Sequence, residues 1–335
     1  MSYCLINNKN FTHNINLVTS IVDIDKVAFV LKNNAYGHGL KVMSELSSMN
    51  NIKHAVVINS VEAKQIYELF DSVLILSDIP SEIISPNISV AINQLEDISR
   101  ICKGSSVELK IDTGMHRNGI LCEELDQAIK MIDSSGLILK GVFTHFANIF
   151  EGNNSIYEQE NKFSQVRSQL LSRGFDNIRF HCSSSPGLFC LDQSKYDLVR
   201  VGIALYGYVD VAEKVKQPDL KPILSLWAEK ISTRKIYKND IVGYGGAFKA
   251  TKDMEISTYD LGYGDGFLRL NEEKQSCIDD GRMILGRVSM NNLTVEGSDN
   301  EICIFKNVED LSKIHSTIPY EILCRINHEI DRRII

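Results

Sequence analysis

The sequence predicts an α/β fold, with an N-terminal (β/α)8 TIM-like barrel followed by a C-terminal, mostly β domain. Three observations lead there. From residue 27 to about 205, short apolar runs alternate with helix-period segments, as βα units feeding a parallel sheet do. After about residue 210 helical patterns become scarce and strand-like runs alternate with Gly, Asn and Asp turns. The length, 335 residues, accommodates a barrel of roughly 250 residues beside a smaller domain.

Taken in order, the candidate barrel strands are VAFVLK (27–32), HAVVIN (54–59), VLILS (73–77), SVAI (89–92), VELKI (107–111), LKGVFTH (139–145), IRFHCS (178–183) and LVRVGIAL (198–205). Helical patterns lie between them: VEAKQIYELF, EELDQAIKMID and YEQENKFSQVRSQLLSRG, the last ending on a glycine suited to a helix C-terminus. Eight parallel strands close into a barrel whose active site lies at the strand C-termini. A boundary near Gln217–Pro218 divides the chain into a barrel over residues 1–215 and a β domain over 216–335. In the latter, ILSLWAEKISTRKIY, MEISTYDLGY and RMILGRVSM read as strands.

Composition narrows the function. With 44% hydrophobic residues, 24% charged residues and a net charge of -7, the chain is an ordinary globular protein without the basic footprint of nucleic-acid binding. The N-terminal MSYCLINNKNFTHNI lacks a signal-peptide pattern, and no apolar stretch reaches the ~18 residues of a membrane span, so a cytoplasmic location is expected. The eight cysteines show no Cys-x-x-Cys pair and no zinc-ligand spacing, so neither disulfides nor a metal are expected.

Several residues stand where barrel enzymes place their chemistry. Lys32 opens the polar, glycine-rich turn KNNAYGHG after the first barrel strand. Such a lysine is ordinarily solvated, but a desolvated one can condense with an aldehyde cofactor. Arg117, after the fifth strand, has a fork able to grip a carboxylate, although a lone arginine there is more often a surface residue. His145 ends the sixth strand and reads equally as a packing histidine; Arg200, in the eighth, reads equally as a rim ion pair. Tyr263 lies among glycines in LGYGDG, a composition common in turns.

Seven motifs resemble, in order, those of the alanine racemases, a fold-type III pyridoxal-phosphate family: LKNNAYGHG, DTGMHRNG (112–119), THFA (144–147), VRVGIALYG (199–207), LGYGDG (261–266), GRVSM (286–290) and TIPYEILC (317–324). They span nearly the whole chain. The resemblance implies pyridoxal 5'-phosphate on Lys32, with Gly202, Ile203, Ser185, Tyr36 and Tyr320 around its phosphate and Arg200 facing its pyridine nitrogen. An arginine there, in place of a carboxylate, leaves the ring a weaker electron sink and favours prompt reprotonation of Cα.

The resemblance also implies Arg117 as carboxylate anchor, steadied by a Lys110 that is carbamylated in some relatives, and His145 beside the second acid–base group, Tyr263. Tyr263 and Met290 reach the other subunit's site in that family, which implies a homodimer. The reaction is then interconversion of L- and D-alanine by two bases on opposite cofactor faces, supplying D-alanine for peptidoglycan. A broader racemase of serine and alanine is the nearest alternative, and a non-catalytic pyridoxal-phosphate carrier a more distant one. The sequence departs from the family at His181-Cys182-Ser183-Ser184-Ser185-Pro186, where HxANSA is usual, and at Asn291, where Asp is usual.

Overall fold

The computed structural model describes residues 1–147, 149, 155–269 and 276–335. The chain divides into two compact units, one of Thr12–Ala35 with Met43–Lys221, the other of Met1–Phe11, Tyr36–Val42 and Pro222–Ile335. The chain opens with β1 (Tyr3–Ile6), which belongs to the second unit.

The first unit is a nearly closed parallel barrel. Its strands are β2 (Val27–Val30), β3 (His54–Val57), β4 (Ser72–Ile75), β5 (Ile88–Ile92), β6 (Ser106–Asp112), β8 (Ile138–Phe143), β9 (Arg179–His181) and β10 (Val199–Val201), while the short β7 (Ile120–Leu121) pairs only with β6. They run in the order β10-β2-β3-β4-β5-β6-β8-β9, and every adjacent pair is parallel. The seam between β9 and β10 is joined by Asp197 N–H to Phe180 O (2.9 Å) and Arg200 N–H to Ser183 O (3.0 Å). All eight runs anticipated from the sequence are strands here.

Strands buried on both faces need apolar residues throughout, and β2 (VAFV) and β5 (ISVAI) are buried along their whole length. On β6 the two faces differ in chemistry: Val107, Leu109 and Ile111 join one apolar cluster, while Glu108 and Lys110 alternate with them. Between strands, the helix Ser60–Ile66 starts where the Asn59 side chain accepts a hydrogen bond from Glu62 N–H, an N-cap. The helix Leu125–Ser134 buries Leu125, Ala128 and Ile132, and Ser155–Leu171 is followed by Gly174 at φ 86°.

The second unit is a mostly antiparallel sheet of β1, β11 (Leu224–Ile236), β14 (Met254–Tyr259), β15 (Leu293–Glu296), β16 (Glu301–Phe305) and β17 (Asp331–Ile334), beside a small hairpin of β12 (Ile241–Val242) and β13 (Phe248–Lys249). The order is β15-β14-β11-β1-β17, with β16 also on β11. The long β11 serves three neighbours: its first half pairs with β1 and β16, and its second half with β14.

One expected strand is corrected. RMILGRVSM forms only isolated bridges, Cys277 with Met283 and Ile284 with Val295. Gly286 breaks the run at φ 76°, where a Cβ would meet Val242 O at 2.7 Å. Among the described residues no helix is long and apolar enough to cross a membrane.

Candidate active site

The turn after β2 carries Lys32, half-buried, into a left-handed path: Asn33, Asn34, Ala35 and Tyr36 have φ of 55°, 52°, 52° and 51°. Consecutive left-handed L-residues are costly, and asparagine bears that conformation better than most. Outside bonds hold the turn in place. Ala35 N–H donates to Leu31 O (2.8 Å), and the Glu62 carboxylate accepts from Asn34 N–H (3.0 Å) and Ile58 N–H (3.1 Å). Lys32 is thereby fixed at the end of its strand.

After β6, one oxygen of Asp112 accepts the N–H groups of Gly114 (2.9 Å), Met115 (3.0 Å) and His116 (3.1 Å), a local turn that precedes the exposed Arg117. Burial pushes the Asp112 carboxyl up, but these N–H groups and His116 more than offset it and hold it below the usual carboxylate range. Lys110, buried, donates to Asn118 Oδ1, and the Asn118 amide donates to Asn93 Oδ1 (3.0 Å). Burial and the charges of Arg117, Arg200 and Lys32 bring the Lys110 amine down to about 8.

His145 lies in the field of the same groups. Burial, then Arg200, Arg117, Lys110 and Lys32, pull its imidazole down to about 3, so it is neutral at physiological pH. Four cationic side chains, from β2, β6 and β10 and the turns after them, therefore act on one neutral histidine. This is a site for an anion.

A second anion-binding feature is built from backbone. Ser185, 3% exposed, starts the short helix Ser185–Cys190, and its Oγ accepts from Gly202 N–H (3.0 Å) and Ala204 N–H (3.2 Å). With its lone pairs taken by these two backbone donors, the Ser185 O–H is left to donate, as the phosphate of a small cofactor requires. Gly202 and Ser185 were anticipated from the sequence; Ala204 was not. A backbone donor leaves no signature in residue type.

Arg200 is buried on β10, with both terminal nitrogens of its guanidinium hydrogen-bonded. It donates to His181 Nδ1 (2.5 Å), Thr144 O (2.6 Å), Cys182 O (3.1 Å) and His181 O (3.3 Å), and it lies over the Phe143 ring at 5.2 Å. Burial lowers its guanidinium to about 10, which still leaves it charged.

The remaining anticipated residues, Tyr36, Tyr263, Met290 and Tyr320, belong to the second unit. There Tyr36 and Tyr320 lie ring to ring at 5.8 Å, and burial pushes the Tyr36 phenol up. Tyr263 and Met290 are brought together by backbone bonds, Tyr263 N–H to Ser289 O (3.1 Å) and Gly264 N–H to Met290 O (2.7 Å). Gly262 is needed for this close approach, since a Cβ there would lie 2.3 Å from Met290 O. Gly262 and Gly264 thus let this turn lie close against the Ser289–Met290 backbone. Both side chains are open to solvent in this chain, at 37% and 57% exposure.

Comparison with known proteins agrees with this layout. Residues 6–210 match the family described as alanine racemase, N-terminal domain, and residues 223–334 match alanine racemase, C-terminal domain. The chain is 40% identical over 337 residues to an alanine racemase of Nitratiruptor sp., covering 99% of each chain, and 37% identical to one of Campylobacter jejuni, covering 100% of each. Among solved structures, alanine racemase from Acinetobacter baumannii superposes with a TM-score of 0.81 at 28% identity, covering 100% of this chain and 99% of that one. With both halves matched and relatives similar end to end, this chain belongs to the alanine racemase family.

Proposed function

We propose that this enzyme interconverts L- and D-alanine with pyridoxal 5'-phosphate as cofactor, supplying D-alanine for peptidoglycan in the cytoplasm. The observation that carries the reading is the cationic barrel end, where Lys32, Lys110, Arg117 and Arg200 act together on a neutral His145, on the same barrel as the buried Ser185 hydroxyl. Lys32 would hold the cofactor. Ser185, Gly202, Ile203 and Ala204, with the hydroxyls of Tyr36 and Tyr320, would take its phosphate, and Arg200 would face its ring nitrogen. When bound, the cofactor supplies an electron sink that acidifies the substrate Cα–H.

The chain's own groups then do the proton work. Arg117 orients the substrate carboxylate through its planar fork. Lys32 and Tyr263, on opposite faces of Cα, take a proton on one side and return one on the other. The lowered Lys110 amine is poised to react with carbon dioxide; as a carbamate it would give Arg117 an anionic partner. The solvent exposure of Tyr263 and Met290 supports a homodimer in which each chain lends them to its partner's site.

Purified protein supplied with pyridoxal phosphate should racemise L-alanine, and borohydride should fix the cofactor to Lys32 on peptide mapping. Inactive Lys32→Ala and Tyr263→Phe chains, mixed and allowed to exchange, should regain activity. No turnover of any small L-amino acid would leave a cofactor carrier as the better reading, and an adduct on another lysine would remove Lys32 from the role. Equal turnover of L-serine would widen the substrate class.

A further inference from the structure

Behind Arg200, away from the strand end, a chain of charged groups runs through the barrel interior with no part in the reaction described so far. His181 (1% exposed) lies on β9 and Glu108 (0% exposed) on β6. The imidazole donates from Nε2 to Glu108 Oε2 at 2.6 Å, and its Nδ1 receives Arg200 Nη1 at 2.5 Å. Glu108 Oε1 is occupied by Arg179, which donates from Nε (2.9 Å) and also from Nη2. Arg179 Nη1 continues to Ser72 Oγ (2.8 Å), which also contacts His54 Nδ1 (2.8 Å).

The order of donors is forced. A guanidinium has only hydrogens to offer, so His181 Nδ1 must present a lone pair, and the one ring hydrogen must sit on Nε2. An ionised carboxylate has only lone pairs, so Glu108 matches that hydrogen. Burial alone would push Glu108 up, yet Arg179 and His181 hold it well below the usual carboxylate range; His181 itself is held down, chiefly by burial. The arrangement is therefore Arg179 cation, Glu108 anion, neutral imidazole, Arg200 cation. Neighbours leave the imidazole no other position: Phe143 stacks on it with centroids 5.0 Å apart and planes at 3°. Gly141 leaves room for the ion pair, since a Cβ there would approach Arg179 Cγ at 2.8 Å and Glu108 Oε2 at 2.9 Å.

We propose that Glu108 and His181 are positioning residues for Arg200, with Glu108 fixing the tautomer of His181 so that its Nδ1 lone pair aims the guanidinium at the cofactor ring. This rests on Arg200 facing that ring. Glu108→Gln keeps the shape of the side chain but reverses one end. The amide oxygen is drawn to Arg179, so the amide NH2 faces His181 Nε2 and drives the ring hydrogen to Nδ1, against the hydrogens of Arg200.

The test uses full-length protein with 15N-labelled histidine. Native His181 should give a protonated Nε2 and an unprotonated Nδ1, and Glu108→Gln should exchange the two. In the protein loaded with pyridoxal phosphate the same variant should shift the visible absorption band, and lower kcat by at least about tenfold with KM within about twofold. Gly141→Ala, whose methyl presses on both Arg179 and the Glu108 carboxylate without altering their charges, should keep the native tautomer but shift the absorption band and lower kcat, and it carries the test of positioning if Glu108→Gln does not fold, an unchanged band and kcat there counting against the proposal. In Glu108→Gln, an unchanged tautomer, or an exchanged tautomer with an unchanged absorption band and kcat, would overturn the proposal. If native protein takes up no pyridoxal phosphate on Lys32 the reading of function fails instead, while the nitrogen spectrum still reports on the Glu108–His181 pair.

Discussion

His145 concentrates the electrostatics of the site in one titratable group. Its neutral form is enforced by burial and by four cations, so the folded chain resists protonating it until pH falls to about 3, whereas an unfolded chain accepts that proton near 6.5. The sign follows directly. Above about 6.5 neither state holds the proton and His145 does not affect stability, but below it the unfolded state binds more protons and the fold weakens as pH drops. His145→Gln should therefore lose less of its urea midpoint between pH 7 and pH 5 than the native chain does. Equal losses would mean that the imidazole is not held neutral. Of the candidate site residues, Lys32, Arg117, His145, Ser185 and Arg200 could be singled out in sequence by residue type and by the family resemblance. Glu108 and His181 were visible as letters but not as a pair, because their meeting depends on the register between β6, β8 and β9.

At the scale of an element, the turn that carries Lys32 has a cost built into it. A polar, glycine-rich turn after β2 was evident from KNNAYGHG; its left-handed course was not, because asparagine tolerates that conformation without requiring it. Asn33 is exposed, with φ 55° and ψ 57°, so a substitution there reads the backbone with little packing change. Asn33→Val should destabilise the chain by about 1–2 kcal/mol, seen as a lower urea midpoint, while Asn33→Gly should be nearly neutral. If valine costs no more than glycine, the turn relaxes in solution. Strands such as β2 and β5 were readable for the opposite reason, since a strand covered on both faces is apolar along most of its length and its sequence has little freedom. RMILGRVSM imitates such a run, and only Gly286 marks where it breaks.

For the whole molecule, sequence separates what is local from what is not. The eight barrel strands follow one another along the chain, so a reading by segments finds them in order. The strand β1 went unread, because YCLI is four residues long and its partners are remote: Tyr3 pairs with Trp227 on one side and with Asp331 on the other. The far end of the chain closes over the near end, with Ile335 N–H donating to Ile6 O (2.9 Å) and Asn8 N–H to Ile335 O (2.9 Å). This arrangement sets a schedule for synthesis. At roughly 5–20 residues per second the first strand leaves the ribosome tens of seconds before its last partner exists, an interval in which β2 to β10 can already assemble. A chain ending at residue 330 should accordingly retain a protease-resistant core from the barrel while Met1–Phe11 and the segment after Pro222 are cleaved, and uniform resistance along that shortened chain would show that the closing strand is dispensable. The order of emergence thus makes the second unit a late event, completed only when β17 reaches β1.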